Sequence, residues 1–289
     1  MTADDPALAW AADEKRRRRR RLLIALAGVV ACAAAIVALV AGYREVDFPE
    51  IERPLLWRVT SPAGKTSYLF GTIHIGYSID ELPKAVLDSQ AEAAITVLES
   101  DLLGKAPAGS RPAARSERLR PEEWKALSEL SGRPVDELQR FDTPYLLGAA
   151  LVGASPRKRE AMDKGLQKRA LELGKPIEFL LVEATRGEQA LELMPETETL
   201  ENVRQVLANP ERIRNYLQSM INAYGRGEES AATALPLLGI LNEAWIEPID
   251  DYMDEGGAFV AIGVAHLTGD HSIRTWLERR GHRIERWPW

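Results

Sequence analysis

The chain has very little cysteine, with one residue, Cys32, among 289. A single cysteine cannot form an internal disulfide. Because Cys32 lies near the N-terminus, the rest of the chain contains no thiol that could act as a nucleophile or a metal ligand. A domain of this size buries enough apolar surface to fold without cross-links, so the scarcity of cysteine excludes no cellular compartment.

Several signatures of common enzyme classes are missing as well. The sequence has no G-x-S-x-G nucleophile turn, no P-loop, no dinucleotide-binding fingerprint and no H-E-x-x-H zinc helix. Residues 45–289 carry 29 basic and 39 acidic groups. Nucleic-acid binding depends on neutralising phosphates, which such an excess of acid opposes. We therefore expect no nucleic-acid partner.

The N-terminal segment combines a run of cations with a long apolar stretch. Residues 15–21 read KRRRRRR, and residues 22–41 contain no charged side chain. Twenty residues of helix rise about 30 Å, the thickness of a bilayer core. The positive-inside rule places residues 1–21 in the cytoplasm and the following domain outside it, on the periplasmic side in a bacterium. We predict a single-pass signal anchor in the lipid bilayer, followed by a linker at 42–54.

Two other fates remain open for this segment. A cleaved signal peptide normally has an apolar core of about 7–15 residues and a small-residue exit site. The core here is longer, and it has no clear exit site. A lipoprotein signal roughly fits residues 29–32, which read VVAC, but the apolar run continues to residue 41 and would leave an apolar mature terminus. We therefore favour the uncleaved anchor.

Histidine is scarce too, and two of the four histidines end similar stretches. Residues 68–74 read YLFGTIH, and residues 259–266 read FVAIGVAH. In each stretch an apolar, strand-like run is followed by glycine (Gly71 or Gly263), two further residues and histidine. A glycine lets the backbone approach a neighbour or a ligand closely. If both runs belong to one sheet, they bring two imidazoles, His74 and His266, to one edge of it.

The same order of elements surrounds both histidines. A β-run, Gly-x-x-His, a polar loop, a helix and a strand follow one another at 67–99 and again at 258–287. Residues 121–240 have mostly helical patterns between them. We predict an α/β (α+β) domain over 55–289, with a mixed sheet built from the two units, a helical middle insertion at about 121–240, and one transmembrane helix before it.

Several of these stretches resemble the TraB/GumN family. The matching residues are 56–59 (LWRV), 68–76 (YLFGTIHIG), 97–99 (VLE) and 259–267 (FVAIGVAHL). The resemblance covers about residues 50–289. The family is similar to the Tiki membrane-anchored metalloproteases of animals, and more distantly to the erythromycin-esterase and ChaN-like haem-binding folds.

The resemblance implies a metal-dependent peptidase or related hydrolase with His74, Glu99 and His266 at its centre. Two imidazoles and a carboxylate suit a divalent ion such as Mn, Co or Zn with open positions for water. Such an ion polarises a carbonyl and acidifies water, and a nearby carboxylate can serve as the general base. The substrate would be a peptide or a small molecule.

One departure from the family keeps other functions open. Leu241 stands where the family usually has arginine. If that arginine binds a substrate carboxylate or an oxyanion, this chain is altered in activity. The same histidines would also serve a non-catalytic module that binds haem or a small ligand. A degenerate, membrane-tethered interaction protein is a third hypothesis.

Four polar residues near these stretches are candidates for supporting roles. Asp101 follows Glu99 by two residues, so strand alternation predicts that both face the same side. We assign Glu99 as ligand or base, and we expect Asp101 either to support the site or to bind loop amides. Asp270 and His271 follow the second unit, whereas Asp163 precedes a helix, where N-capping is its commonest role. We expect His282, in the last strand, to be structural.

Overall fold

The structure is a computed structural model that describes residues 48–104, 119–141, 143–157, 159–181, 196–229 and 236–288, with backbone alone for 236–240. The predicted basic segment, the predicted anchor and the first part of the linker lie outside these residues. Within them, no helix is long and apolar enough to cross a bilayer.

Six strands form one mixed sheet in the described part of the chain, in the order β4-β3-β5-β2-β1-β6. The strands are β1 (Leu56–Thr60), β2 (Thr66–Thr72), β3 (Ile95–Leu98), β4 (Ile177–Phe179), β5 (Ala258–Gly263) and β6 (Arg283–Arg286). Strand β1 is antiparallel to both of its neighbours, and the other pairs are parallel. The prediction of a mixed sheet in an α/β fold is confirmed.

The described helices surround and extend this sheet. They are α1 (Lys84–Glu92), α2 (Pro121–Ser131), α3 (Val135–Leu138), α4 (Thr143–Ala154), α5 (Met162–Glu172), α6 (Glu196–Ala208), α7 (Pro210–Gly225), α8 (Pro236–Glu255) and α9 (Ile273–Arg279). Short 3₁₀ turns occupy Ile79–Glu81 and Val264–Leu267. The predicted helical insertion is interrupted by β4, which the pattern at 175–181 also indicates as a strand.

The two predicted units occur as β2-α1-β3 and β5-α9-β6. Strands β2 and β5 lie side by side, with Thr72 opposite Gly263, and β3 pairs with the other side of β5. Strand β5 therefore lies between β2 and β3 and is parallel to both. Because carboxyl ends of parallel strands meet at one edge, the residues that follow these three strands share that edge, where ligands of α/β proteins commonly bind.

Two apolar cores hold the fold together. The first packs on the sheet and includes the fully buried Phe70 and Phe259, whose stacked rings have centroids 6.0 Å apart. The second lies among α2, α4, α6 and α7 and includes Leu127 and Val203. Ile75, immediately after His74, packs against both cores. The junction between the cores therefore lies beside the first of the two predicted histidines.

Candidate metal site at the carboxyl edge of the sheet

Three side chains meet where β2, β3 and β5 end. His74 follows β2 by two residues, Glu99 follows β3 directly, and His266 lies in the 3₁₀ turn after β5. The His74 Nε2 atom is 3.8 Å from Glu99 Oε2, and the His266 Nε2 atom is 3.7 Å from Glu99 Oε1. Both imidazoles thus present the same nitrogen to one carboxylate.

The backbone of Gly263 reaches into the middle of this group. Its amide donates a hydrogen bond of 2.5 Å to Glu99 Oε1. A Cβ atom at this position would lie 3.1 Å from Glu99 Oε1, 3.3 Å from His74 Nε2 and 3.7 Å from His266 Cδ2. A side chain here would therefore press on Glu99 and His74 and make an ordinary contact with His266.

Gly71 permits a different kind of close approach. A Cβ atom there would meet Val264, Leu267 and Leu55 at 3.2–3.3 Å, all of them apolar side chains. The Gly71 carbonyl accepts a hydrogen bond of 2.7 Å from the buried Tyr224 hydroxyl. The first glycine thus allows dense packing behind the site, whereas the second lies within it.

Asp163 fixes the orientation of the His74 ring. His74 Nδ1 donates to Asp163 Oδ2 at 2.8 Å, and Thr72 Oγ1 donates to Asp163 Oδ1 at 2.7 Å. The N-cap of α5 is Ala161, so the capping role that the position of Asp163 suggested is wrong. Bound in this way, His74 turns its Nε2 toward Glu99.

Asn242, on α8, fixes the second ring. Its Nδ2 donates to the His271 carbonyl at 2.9 Å, and this contact directs its Oδ1 toward His266. Because an amide oxygen can only accept, His266 Nδ1 carries the hydrogen of the 2.6 Å bond between them. The lone pair of His266 is therefore on Nε2. Trp245 packs on the ring, with centroids 4.5 Å apart.

Comparison with known families supports the resemblance that these residues carry. The model of the TraB/PrgY/gumN family matches residues 55–286, which include β1 through β6. The chain belongs to the TraB/PrgY/gumN family. No curated protein sequence and no solved structure matches the chain.

The two histidines of this TraB/PrgY/gumN chain differ in charge. Burial of its inner side opposes a charge on His74, but Asp163 and Glu99 outweigh that effect and raise the pKa of His74 to about 9. Burial, together with the charge on His74, lowers the pKa of His266 to about 3. At neutral pH and without a bound ion, His74 is cationic and His266 is neutral.

The two carboxylates near the histidines also differ. Burial raises the pKa of Glu99 despite the opposing attraction of His74. Burial acts on Asp163 in the same direction, but its charge contact with His74 and the hydrogen bonds from His74 and Thr72 lower its pKa. Asp163 is therefore the permanent anion that balances His74, and Glu99 is the carboxylate closer to accepting a proton.

The other predicted residues have different surroundings. Asp101 Oδ1 accepts from the amides of Leu103 and Gly104 at 3.0 and 2.8 Å, which is the loop-binding role of the two we expected. Asp270 and His271 have exposed side chains, and His271 contributes its backbone carbonyl to Asn242.

Two further residues have structural positions. His282 is buried immediately before β6, and its Nε2 lies 2.7 Å from Asp250 Oδ1, which agrees with the structural role we expected. Leu241 packs against the sheet core rather than carrying a charge into the site. Leu241 is thus an apolar packing residue next to Asn242.

The donor set of this family member fits a divalent ion. Two ligands at about 2.1 Å from one ion can be at most about 4.2 Å apart, and both nitrogen–oxygen distances fall below that ceiling. Among the described residues, no group of three or more His, Cys, Asp or Glu side chains already has the geometry that holds a metal ion. The two pairwise distances are compatible with an ion held between each histidine and Glu99.

Proposed function

We propose that this TraB/PrgY/gumN protein is a membrane-anchored, metal-dependent hydrolase of the peptidase type. The observation that supports it most is the arrangement of His74, His266 and Glu99, three potential ligands at the ends of three adjacent parallel strands. Each imidazole is held by its Nδ1, so that the nitrogen suited to a metal faces the carboxylate. The family membership agrees with this proposal but does not by itself specify an activity.

His74, His266 and Glu99 would hold a divalent ion such as Mn, Co or Zn. When bound, such an ion polarises a substrate carbonyl and lowers the pKa of a water molecule. The chain's own contribution is orientation. Asp163 and Asn242 hold the two rings, and the Gly263 amide holds Glu99 Oε1. Glu99 is assigned as ligand or base; in the base role, its pKa, which burial raises, suits it to accept the proton that the attacking water loses.

Metal analysis of the full-length protein in detergent tests this function. The wild-type protein is expected to purify with, or to bind, close to one equivalent of Mn, Co, Zn or Fe. His74→Ala should lose the ion because it removes one of three ligands. His271→Ala is the matched control, since the His271 side chain is exposed and only its backbone contacts Asn242. Retention of the ion by His74→Ala would contradict the site.

The remaining hypotheses predict other signals in the same preparation. A Soret band without peptide cleavage would favour a haem-binding module. The described cavity beside His74, about 190 Å³, is smaller than the 300–1,000 Å³ usual for drug-sized ligands, and haem is larger still. A preparation with neither metal nor haem would favour the hypothesis of an interaction protein. The sequence argument for that hypothesis is the apolar Leu241.

A further inference from the structure

A cavity of about 190 Å³ opens beside the candidate metal site. His74 and Ile75 line one end of it, and Ser131 and Val152 from the helical core line another part. The cavity lies at the junction of the two apolar cores, a position where ligand sites are common. Because His74 is a candidate ligand and also lines the cavity, the cavity and the candidate site are neighbours.

The lining of this cavity is cationic. Arg157 and Arg159, from the segment between α4 and α5, both line it, and among the described residues no Asp or Glu does. The same segment leads directly to Asp163, which holds His74. The two arginines therefore lie only a few residues before Asp163, the residue that orients the candidate ligand His74.

Arg157 is held firmly in place. Its guanidinium lies 4.8 Å from the Phe48 ring centre and 5.0 Å from that of Tyr77, and it forms an ion pair with Glu81. The Ser155 hydroxyl accepts from the Arg157 amide at 3.4 Å. An arginine ordered in this way loses little conformational entropy when it binds a ligand.

The charge on the two arginines exceeds what their partner neutralises. Both form ion pairs with the same carboxylate, that of Glu81, and Arg159 Nε lies 3.6 Å from Glu81 Oε2. Two guanidinium groups and one carboxylate have a net charge of about +1, and ten N–H donors exceed what two carboxylate oxygens accept. The cavity therefore suits one additional anion, and guanidinium groups match planar carboxylates in two parallel hydrogen bonds.

We propose that this cavity binds the terminal carboxylate of a substrate's last residue, through Arg157 and Arg159. An engineered cavity of about 150 Å³ accepts a molecule the size of benzene, so this space has room for one small residue. The identification of the anion as a peptide terminus rests on the proposed function. The protein would then remove C-terminal residues or cleave very short peptides, because the bound terminus lies beside His74.

Binding of uncleavable probes to the full-length protein tests this inference without any activity. N-acetyl-L-alanine carries the terminal carboxylate, and N-acetyl-L-alanine amide is the same molecule without the charge. By calorimetry or ligand-observed NMR, the acid should bind at least ten times more tightly than the amide. Arg159→Gln should lose most of that preference, since losing a hydrogen bond to a charged group usually weakens binding ten- to a hundredfold.

The variants separate local binding from general effects. Arg283→Gln is the matched control, since Arg283 is an exposed arginine on β6 with an ion pair of 3.5 Å to Glu285 and does not line the cavity. Arg157→Gln is a second variant, read only after circular dichroism shows that it is folded, because it also loses packing against Phe48 and Tyr77. The preference for the acid should be unchanged in Arg283→Gln and abolished in folded Arg157→Gln.

Several outcomes would overturn the inference. Equal binding of acid and amide, no detectable binding of the acid, or full binding by Arg159→Gln would each do so. Inorganic phosphate that binds as tightly as the acid at the same residues would show a general anion site instead. Acid binding without metal or hydrolysis would refute the proposed function alone, whereas hydrolysis without a carboxylate preference would refute this subsite alone.

Discussion

Gly263 allows a sharp test of the metal site, because alanine there changes the site without straining the backbone. Its φ and ψ of −52° and 132° are accessible to any residue. The added methyl would lie 3.1 Å from Glu99 Oε1 and 3.3 Å from His74 Nε2, closer than ordinary contacts. Glu99 Oε1 and His74 Nε2 must both move away from the new methyl group. We expect metal affinity to fall by about ten- to a hundredfold, as it does for other changes around metal ligands.

The expected effect of Gly263→Ala on stability is small. Replacing glycine where the backbone is compatible gains roughly 0.4–1 kcal/mol through the unfolded state. Displacing Glu99 Oε1 weakens its hydrogen bond from the Gly263 amide, and a typical hydrogen bond contributes about 0.5–1.5 kcal/mol. We therefore expect the free energy of unfolding to change by less than about 1 kcal/mol, or roughly 2–4 °C in Tm for a domain of this size.

Gly71→Ala is the matched control with the opposite pattern. Its methyl would meet Val264, Leu267 and Leu55 at 3.2–3.3 Å inside the apolar core. Overpacking of this kind costs roughly 1–3 kcal/mol. The methyl reaches none of the candidate ligands, so folded Gly71→Ala should bind metal as the wild type does.

Thermal unfolding and metal titration, measured on both variants, decide the matter. We expect Gly263→Ala to lose metal affinity at nearly unchanged stability and Gly71→Ala to lose stability at unchanged affinity. Wild-type metal affinity in Gly263→Ala would show that the ion, if there is one, does not lie among His74, Glu99 and His266. The reasoning from the close approach of Gly263 would then be refuted.

The remaining predictions concern the carboxylates, the proton balance and the topology. Glu99→Gln keeps the shape and removes the charge, so it should abolish turnover, whereas Asp101→Asn should cost on the order of 10–100-fold or less in kcat/KM; the reverse order would exchange their roles. Because the pKa of His74 is about 9, metal binding near pH 7 should displace about one proton, and metal affinity should fall about tenfold per pH unit as the pH decreases toward 6. Calorimetry in buffers of different ionisation enthalpy measures the number of protons released. Release of no proton would contradict a cationic His74. A reporter fused after residue 289 should be active only outside the cytoplasm, and strong cytoplasmic activity would reverse the predicted orientation.

Local patterns in the sequence indicated the candidate ligands and Asp163, but not Asn242, which holds the second ring. Strand-like runs followed by Gly-x-x-His predicted that His74 and His266 share an edge, and parallel pairing of β2 with β5 explains why they do. Asn242 was missed as a site residue because its partner, His266, is 24 positions away on another element. Only the packing of α8 against the end of β5 brings them together, and no local period encodes that contact.

Strand alternation did not specify the role of Asp101, for a related reason. The rule that residues two apart face the same side holds while the backbone stays extended, and β3 ends at Leu98. Beyond that point the chain turns, and Asp101 accepts hydrogen bonds from the loop amides of Leu103 and Gly104. The sequence pattern indicated where the strand would end, but not the direction in which the following residues point.

The choice of Asp163 for one histidine and Asn242 for the other has an electrostatic consequence. With Glu99 ionised, the metal-free group of His74, Glu99 and Asp163 has a net charge of −1, and neutral His266 adds nothing. A divalent ion that replaces the His74 proton brings the total to zero. An aspartate in place of Asn242 would leave −1 with the ion bound, and unbalanced buried charge is costly. An asparagine matches the buried His266, whereas the ionised Asp163 serves the exposed His74, so this site is balanced for a charge of +2.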